Sequence, residues 1–258
     1  MTKLTRTLPL LSALLCGLAL SARAQAPSPP ESERIELTCS DGVKVYAFWY
    51  AQGKSAQGPV ALLLHDPGAT HAHWRPLLEP LRAAGFRILA PDLRGHGDSK
   101  DPNPEVYASM VRRESQPYFD MSHDVESALQ WLTDVQGVAP ERIALVGGEY
   151  SADLALQAMA RRRTLGAVVA MSPSERYFGF PLLETTKKIG NKPLFVLVPK
   201  QILGDGAAKM QELNKNNPSF KLEIYPVYEH HGVHMLGLSW RVEDKIVRWL
   251  QQVFSLEP

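Results

Sequence analysis

The chain has 258 residues, 45% of them hydrophobic and 21% charged, which is enough for one large core and too apolar for a disordered chain. With 28 basic against 27 acidic residues the formal charge is +1. So even a balance carries no signature of a nucleic-acid or anionic-membrane partner.

Lys3 and Arg6 precede an apolar run from Leu8 to Leu20, and Ser21-Ala22-Arg23-Ala24-Gln25-Ala26 follows it. A basic start, a short apolar stretch and an Ala-x-Ala site are the parts of a secretory signal. They predict a signal peptide over 1–24, cut after Ala24 or Ala26, with a periplasmic or secreted destination. The run is too short for a membrane span, which needs about 20 apolar residues, and Leu15 before Cys16 is a poor fit to a lipid-attachment site. Cleavage leaves Cys39 as the one cysteine, so no internal disulfide is expected. Residues 25–33, rich in Pro and Ser, read as a flexible linker before a folded domain over 34–258.

From Arg34 onward the pattern alternates. Ile35 to Cys39 and Val43 to Trp49 flank the turn Ser40-Asp41-Gly42 and read as a hairpin. The run Val60 to Leu64 is apolar throughout, as in a strand buried on both faces. A helix follows from about Trp74 to Ala84, with Pro80 expected to kink it, and then a strand from Phe86 to Ala90. Met121 to Val135 carries the stripe Val125, Leu129 and Leu132 of a helix. Arg142 to Leu145 reads as a strand, and Ala152 to Met159 as the helix after it. Gly166 to Met171 and Pro193 to Val198 are two more buried strands. A helix around Gly206 to Asn214, a strand over Lys221 to Tyr225 and an amphipathic helix from Val242 to Phe254 close the chain. An opening hairpin followed by strand–helix units implies an α/β fold with one doubly wound, mostly parallel sheet.

Between the strand at 142–145 and its helix lies Val146-Gly147-Gly148-Glu149-Tyr150-Ser151. A small-x-nucleophile-x-small turn between strand and helix is the nucleophile elbow of a serine hydrolase, but here the central residue is Glu149. Two further stretches are Leu63-Leu64-His65-Asp66-Pro67-Gly68 after the third strand and Pro91-Asp92-Leu93-Arg94-Gly95-His96-Gly97-Asp98-Ser99 after the fourth. Taken in order and at these separations, the three patterns resemble the α/β-hydrolase family over nearly the whole 34–258 region.

The resemblance implies an α/β-hydrolase fold with a short lid in Ser172 to Gly190, no cofactor or metal, and a triad in the order nucleophile, acid, histidine. Glu149 stands at the nucleophile position. The histidine falls in Tyr228-Glu229-His230-His231-Gly232-Val233-His234, with His231 favoured for its His-Gly pair over His234 and His230. The acid position falls at Gln201 or Ile202, neither a carboxylate, and Asp205 is the nearest one. The oxyanion region comprises Asp66, Pro67, Gly68 and Tyr150. Tyr150 can supply one N–H, whereas the family's second donor position falls on Pro67, which has none.

These departures argue against ordinary esterase chemistry. Glu149 has no hydroxyl proton to give, and its attack on an ester would form an anhydride more reactive than the ester consumed. Two readings of Glu149 follow. One is an ion pair with His231, raising the histidine pKa and lowering that of Glu149, in a protein that binds small acyl or ester-like ligands without turnover. The other is catalysis, with Glu149 as carboxylate nucleophile or base alongside His231, as the elbow aspartate acts in haloalkane dehalogenases and epoxide hydrolases. A structural or protein-binding role in the cell envelope is a third class. His71 and His73 with His230, His231 and His234 are the sole candidates for a metal, without ligand-spaced carboxylates or thiolates. Ser151 reads as a packing residue and His96 and Asp98 as turn chemistry, while Tyr118, Phe119, Tyr177, Phe178 and Phe180 fall in loops placed to roof the cleft, most of them read as core or lid packing.

Overall fold

Strand pairing puts the ends of β3 (Val60–Leu64) and β5 (Ile143–Gly148) side by side, with Leu63 opposite Val146 and Leu64 opposite Gly147. The computed structural model describes residues 31–51, 57–226 and 230–256. The expected signal peptide over 1–24, most of the linker, and Tyr228 and Glu229 lie outside these residues.

The sheet has eight strands in the order β1-β2-β4-β3-β5-β6-β7-β8. The remaining strands are β1 (Glu33–Thr38), β2 (Lys44–Tyr50), β4 (Arg87–Asp92), β6 (Ala167–Met171), β7 (Leu194–Pro199) and β8 (Phe220–Tyr225). The β1–β2 and β2–β4 pairs are antiparallel and every other pair is parallel. The hairpin and the doubly wound sheet are therefore as the sequence reads. Chain order reverses across the sheet at β3 and β5, the crevice where such folds put ligands.

Continuous apolar strands follow from cover on both faces. In β3, Val60, Leu62 and Leu64 face one core while Ala61 and Leu63 face the other. The first core is closed by α3 (Gln116–Gln130), α4 (Tyr150–Arg161) and α6 (Ala207–Leu213) through Val125, Leu129, Leu154 and Met210. The second is closed by α1 (Arg75–Ala83) and α7 (Val242–Phe254) through Leu77, Leu81, Ile246 and Leu250. Pro80 lies inside α1, and α3 ends in a wide π-type turn at Trp131–Val135 rather than continuing as α-helix.

The sequence pattern marked neither α2 (Pro104–Val111) nor α5 (Leu182–Ile189). The short lid segment 172–190 thus comprises a loop and α5, whose Leu182 and Ile189 join the first core.

The loop after β4 is a structural knot. Asp92 accepts the His71 N–H at 2.7 Å and the Asp98 N–H at 2.9 Å, and lies 2.9 Å from His71 Nδ1. The buried Arg94 guanidinium spans Asp41 and Asp124, and His96 Nδ1 meets the Arg94 carbonyl at 3.0 Å. His96 serves the turn through its ring, as expected, whereas the Asp98 carboxylate pairs with Arg34 at 2.9 Å and only its N–H joins the turn.

Candidate functional site

The elbow has the backbone its sequence demands. Glu149 sits at φ 49°, ψ −125°, between the last residue of β5 and the first of α4. This is a sparsely populated region for a non-glycine residue, and such strain collects at functional sites. Gly147 has a steric reason, since a Cβ there would lie 2.3 Å from the Ser151 carbonyl oxygen. Ser151 is buried and donates to the His65 carbonyl at 2.6 Å, so it packs and bridges and is not free to attack.

The loop after β3 is tied down next to the elbow. His65 is wholly buried, its Nδ1 2.8 Å from the Asp66 carbonyl and its Nε2 accepting the Leu93 N–H at 3.0 Å. Burial pushes its pKa down to about 3, so the ring is a neutral strut. The Ala69 N–H closes a turn on the Asp66 carbonyl at 3.1 Å, with Pro67 and positive-φ Gly68 at its centre, as in a type II turn.

Asp66 changes the character of the site. Its side chain is 1% exposed and threads between the elbow and the histidine loop. A Cβ on Gly148 would lie 1.8 Å from Oδ1, and one on Gly232 would lie 2.0 Å from Oδ2. Both positions are therefore glycine because the Asp66 carboxyl occupies the space. Oδ2 accepts the Val233 N–H at 2.9 Å, while Oδ1 has no partner. Ser172, after β6, completes the clamp by accepting the Gly232 N–H at 3.0 Å and donating to Met235 Sδ at 3.6 Å.

Electrostatics follow from burial. Desolvation raises Asp66 well above the usual carboxylate range, and Glu149 adds to the shift. Desolvation also raises Glu149. The expected ion pair with His231 would have moved both groups the other way. His231 instead moves down, through burial and then through His230 and His234, and no ion pair joins it to Glu149 among the described residues. The physical reason is that Asp66, not an imidazole, meets the elbow. Glu149 and His231 are held on neighbouring loops without a salt bridge.

Neither residue at the expected acid position is a carboxylate. Gln201 is exposed, and Ile202 packs on the first core. Asp205 is turned to Arg176 at 2.7 Å. The histidine groups after β3 and β8 do approach, with the His73 and His234 rings 5.8 Å apart edge to face. Among the described residues, no three His, Cys, Asp or Glu side chains converge as a metal set. The aromatic residues pack on one another and on the first core: Tyr118 stacks on Phe178 at 3.9 Å, and Phe119 meets Phe180 at 5.1 Å.

Sequence reasoning placed Asp66 in the oxyanion region without giving its carboxyl a role; the signal was an aspartate where the family has the glycine of its His-Gly turn. It missed Asp153 altogether. This residue lies one turn along α4 from Glu149, 1% exposed, with the Ser174 backbone as its hydrogen-bonding neighbour. Burial pushes it well up.

These raised groups give a pH dependence of defined sign. A carboxyl raised on folding costs nothing below its unfolded value near about 3.9, and costs progressively more as pH climbs through its folded value. Asp92, held low by His71, contributes the opposite limb at acid pH, against the burial that opposes it. The melting temperature is expected to fall between about pH 5 and about pH 8 more steeply than in Asp153→Asn. Parallel melting curves for the two proteins across that window would refute the assignment.

Comparison with known proteins agrees with this architecture. A family model described as alpha/beta hydrolase family matches residues 61–244. An uncharacterized hydrolase of Saccharomyces cerevisiae is 29% identical over 166 residues, covering 64% of this chain and 53% of its own. Epoxide hydrolase 3 of Siraitia grosvenorii is 35% identical over 99 residues, covering 38% of this chain and 27% of its own. The chain thus spans about half the length of the first and about a quarter of the second. Among solved structures, a Pyrococcus furiosus esterase superposes with TM-score 0.68 at 19% identity, covering 86% of this chain and 91% of that one. At that identity the likeness is one of fold.

Proposed function

This chain belongs to the alpha/beta hydrolase family, and from that premise we propose a hydrolase-like protein without serine acyl-transfer chemistry, its cleft binding small acyl or ester-like ligands. The N-terminal pattern of Lys3, Arg6 and the Leu8–Leu20 run supports an exported protein, periplasmic or secreted.

The observation that carries the reading is the Asp66 carboxyl wedged between Gly148 and Gly232. Acyl transfer needs N–H donors aimed at a developing negative oxygen. Here Pro67 removes one donor, and a carboxyl sits at the junction of the three loops that surround the reaction centre. Burial favours its neutral form, so the carboxyl acts first by filling the space between the loops, and it repels an oxyanion only where it ionises. Loss of a single donor typically costs about 3 kcal/mol of transition-state stabilisation, and Glu149 removes the hydroxyl as well.

A second reading rests on the strained elbow at Glu149, which is retained although no serine remains. The epoxide hydrolase similarity accords with a carboxylate nucleophile that forms an alkyl ester, with neutral His231 activating water for its release.

One assay separates the two. Short-chain p-nitrophenyl esters and small epoxides are expected to be hydrolysed no faster by the native protein than by Glu149→Ala, within about twofold. A rate abolished in Glu149→Ala would overturn the binding reading. A covalent mass increment on Glu149 in His231→Ala after incubation with an epoxide would establish the second.

A further inference from the structure

β8 closes one side of the sheet, and among the described residues no strand pairs with its outer edge. The Leu194 N–H donates to the Ser219 carbonyl at 3.2 Å, so Ser219, Lys221, Glu223 and Tyr225 turn their backbone groups toward β7. By alternation the N–H and C=O groups of Leu222 and Ile224, with the Phe220 carbonyl, point to the free edge. The Phe220 N–H is taken by the Asn217 carbonyl at 3.1 Å. An open row of such groups is a template for another strand. Apolar surface lies beside it: Ile224 is 45% exposed, and Leu213 on the adjacent α6 is 43% exposed.

In one register this strand is complementary to itself. A two-fold axis through Leu222, perpendicular to the sheet, sets each residue before Leu222 opposite the residue equally far after it in a second copy. Lys221 then meets Glu223, Phe220 meets Ile224, and Leu222 meets itself. The two Leu222 residues exchange both backbone hydrogen bonds, and each Ile224 N–H reaches a Phe220 carbonyl. Pro218 and Pro226, which have no N–H, stand opposite one another and end the ladder on both sides. Moving the axis to Lys221 or Glu223 would instead set like charges face to face, which is destabilising.

The two faces of the strand suit this pairing. On one, the Lys221 ammonium lies 4.6 Å from the Phe195 ring and the partly exposed Glu223 pairs with Lys245 of α7. On the other, Phe220 and Leu222 pack against the first core. Pairing across the axis gives each Glu223 carboxylate a second ammonium. The opposite edge of the sheet differs, because on β1 Arg34 is already held by Asp98 and Glu36 by Lys44.

We propose that β8 pairs antiparallel with β8 of a second copy of this chain about a two-fold axis at Leu222, joining two eight-stranded sheets into one. One strand pair with its flanking side chains is a small interface, so the dimer is weak and reversible, with a Kd of about 10 µM.

Sedimentation equilibrium of the protein between about 1 µM and about 1 mM tests this, and the native chain is expected to pass from monomer to dimer across that range. Lys221→Glu sets glutamates opposite one another, and Glu223→Lys sets lysines opposite one another. Each variant alone is expected to dimerise at least about tenfold more weakly. An equimolar mixture of the two sets Glu against Lys at both contacts and is expected to restore association. Rescue on mixing separates a contact between copies from a loss of structure within one, and thermal melting of each variant checks that it folds. Should either charge variant fail to fold, Ile224→Asp at its exposed position is expected to weaken dimerisation to a similar extent. A native chain that stays monomeric throughout would overturn the proposal. So would an oligomer indifferent to these substitutions, as pairing through β1 would be, or a mixture no more associated than its two components.

Discussion

Replacing Gly232 by alanine is expected to cost about 4 kcal/mol of stability, read from the midpoint of denaturant unfolding. Two effects add. Gly232 has φ +48°, a left-handed backbone that an alanine adopts at a cost of about 1–2 kcal/mol. Its new methyl would then fall 2.0 Å from Asp66 Oδ2 and 2.5 Å from Asp66 Cγ, in a region with no free volume. Overpacking of that kind costs about 1–3 kcal/mol. The backbone part is local, but the packing part belongs to the pair.

In an Asp66→Gly background, Gly232→Ala should therefore cost about half as much, although Asp66→Gly is itself destabilising because the buried Val233 N–H loses its acceptor. Gly148→Ala should show the same rescue, its Cβ meeting Asp66 Oδ1 at 1.8 Å. Were Gly232→Ala equally costly in both backgrounds, the wedge between the two loops would be the wrong description.

The second large effect is on chemistry. Glu149→Ser restores a hydroxyl at the elbow, yet it is expected to leave p-nitrophenyl ester hydrolysis within about twofold of the native protein. The hydroxyl would have no oriented general base, since the expected acid position holds the exposed Gln201 and Ile202, which is half-buried against the first core. A positioned base typically contributes about 10²–10⁴-fold. It would also face an oxyanion region lacking one donor, worth about 10²–10³-fold.

Adding Asp66→Gly and Pro67→Ala to Glu149→Ser should raise the rate by up to that second factor, and adding Ile202→Asp or Gln201→Asp should act on the first. Burst release of p-nitrophenol by Glu149→Ser alone would mean that the remaining machinery is intact. That result would remove the case against acyl transfer.

The sheet was legible in the sequence because strands covered on both faces must be apolar at every position. Val60–Leu64 and Ala167–Met171 are buried throughout and read as such. The closing helix was legible to its ends because Ile246, Val247 and Leu250 repeat at helical spacing against one core.

Helix α5 escaped notice for a local reason. Its buried face is Leu182, Thr185, Thr186 and Ile189, helical spacing with two hydroxyl residues in the middle. Thr186 satisfies its hydroxyl on the Leu182 carbonyl at 2.8 Å, so a polar letter occupies an apolar place. Helix α2 has just one buried residue, Met110, and therefore no stripe to read.

The elbow position of Glu149 could be read from six consecutive residues. The place of Asp66 could not. Its partner Val233 is 167 residues away, and nothing local says that two distant glycines exist to admit one carboxyl. The ion pair expected between Glu149 and His231 failed for the same reason. It was inferred from what normally faces the elbow, while the space had passed to a side chain from the loop after β3.

The interlock of Asp66 with Gly148 and Gly232 bears on which substitutions the site accepts one at a time. Asp66→Gly alone strands an amide and opens a void, and either glycine alone can accept no larger side chain. Glu149→Ser by itself leaves Pro67 and the Asp66 carboxyl in place. The three positions are therefore coupled, and exchanging one of them is expected to need compensation at another.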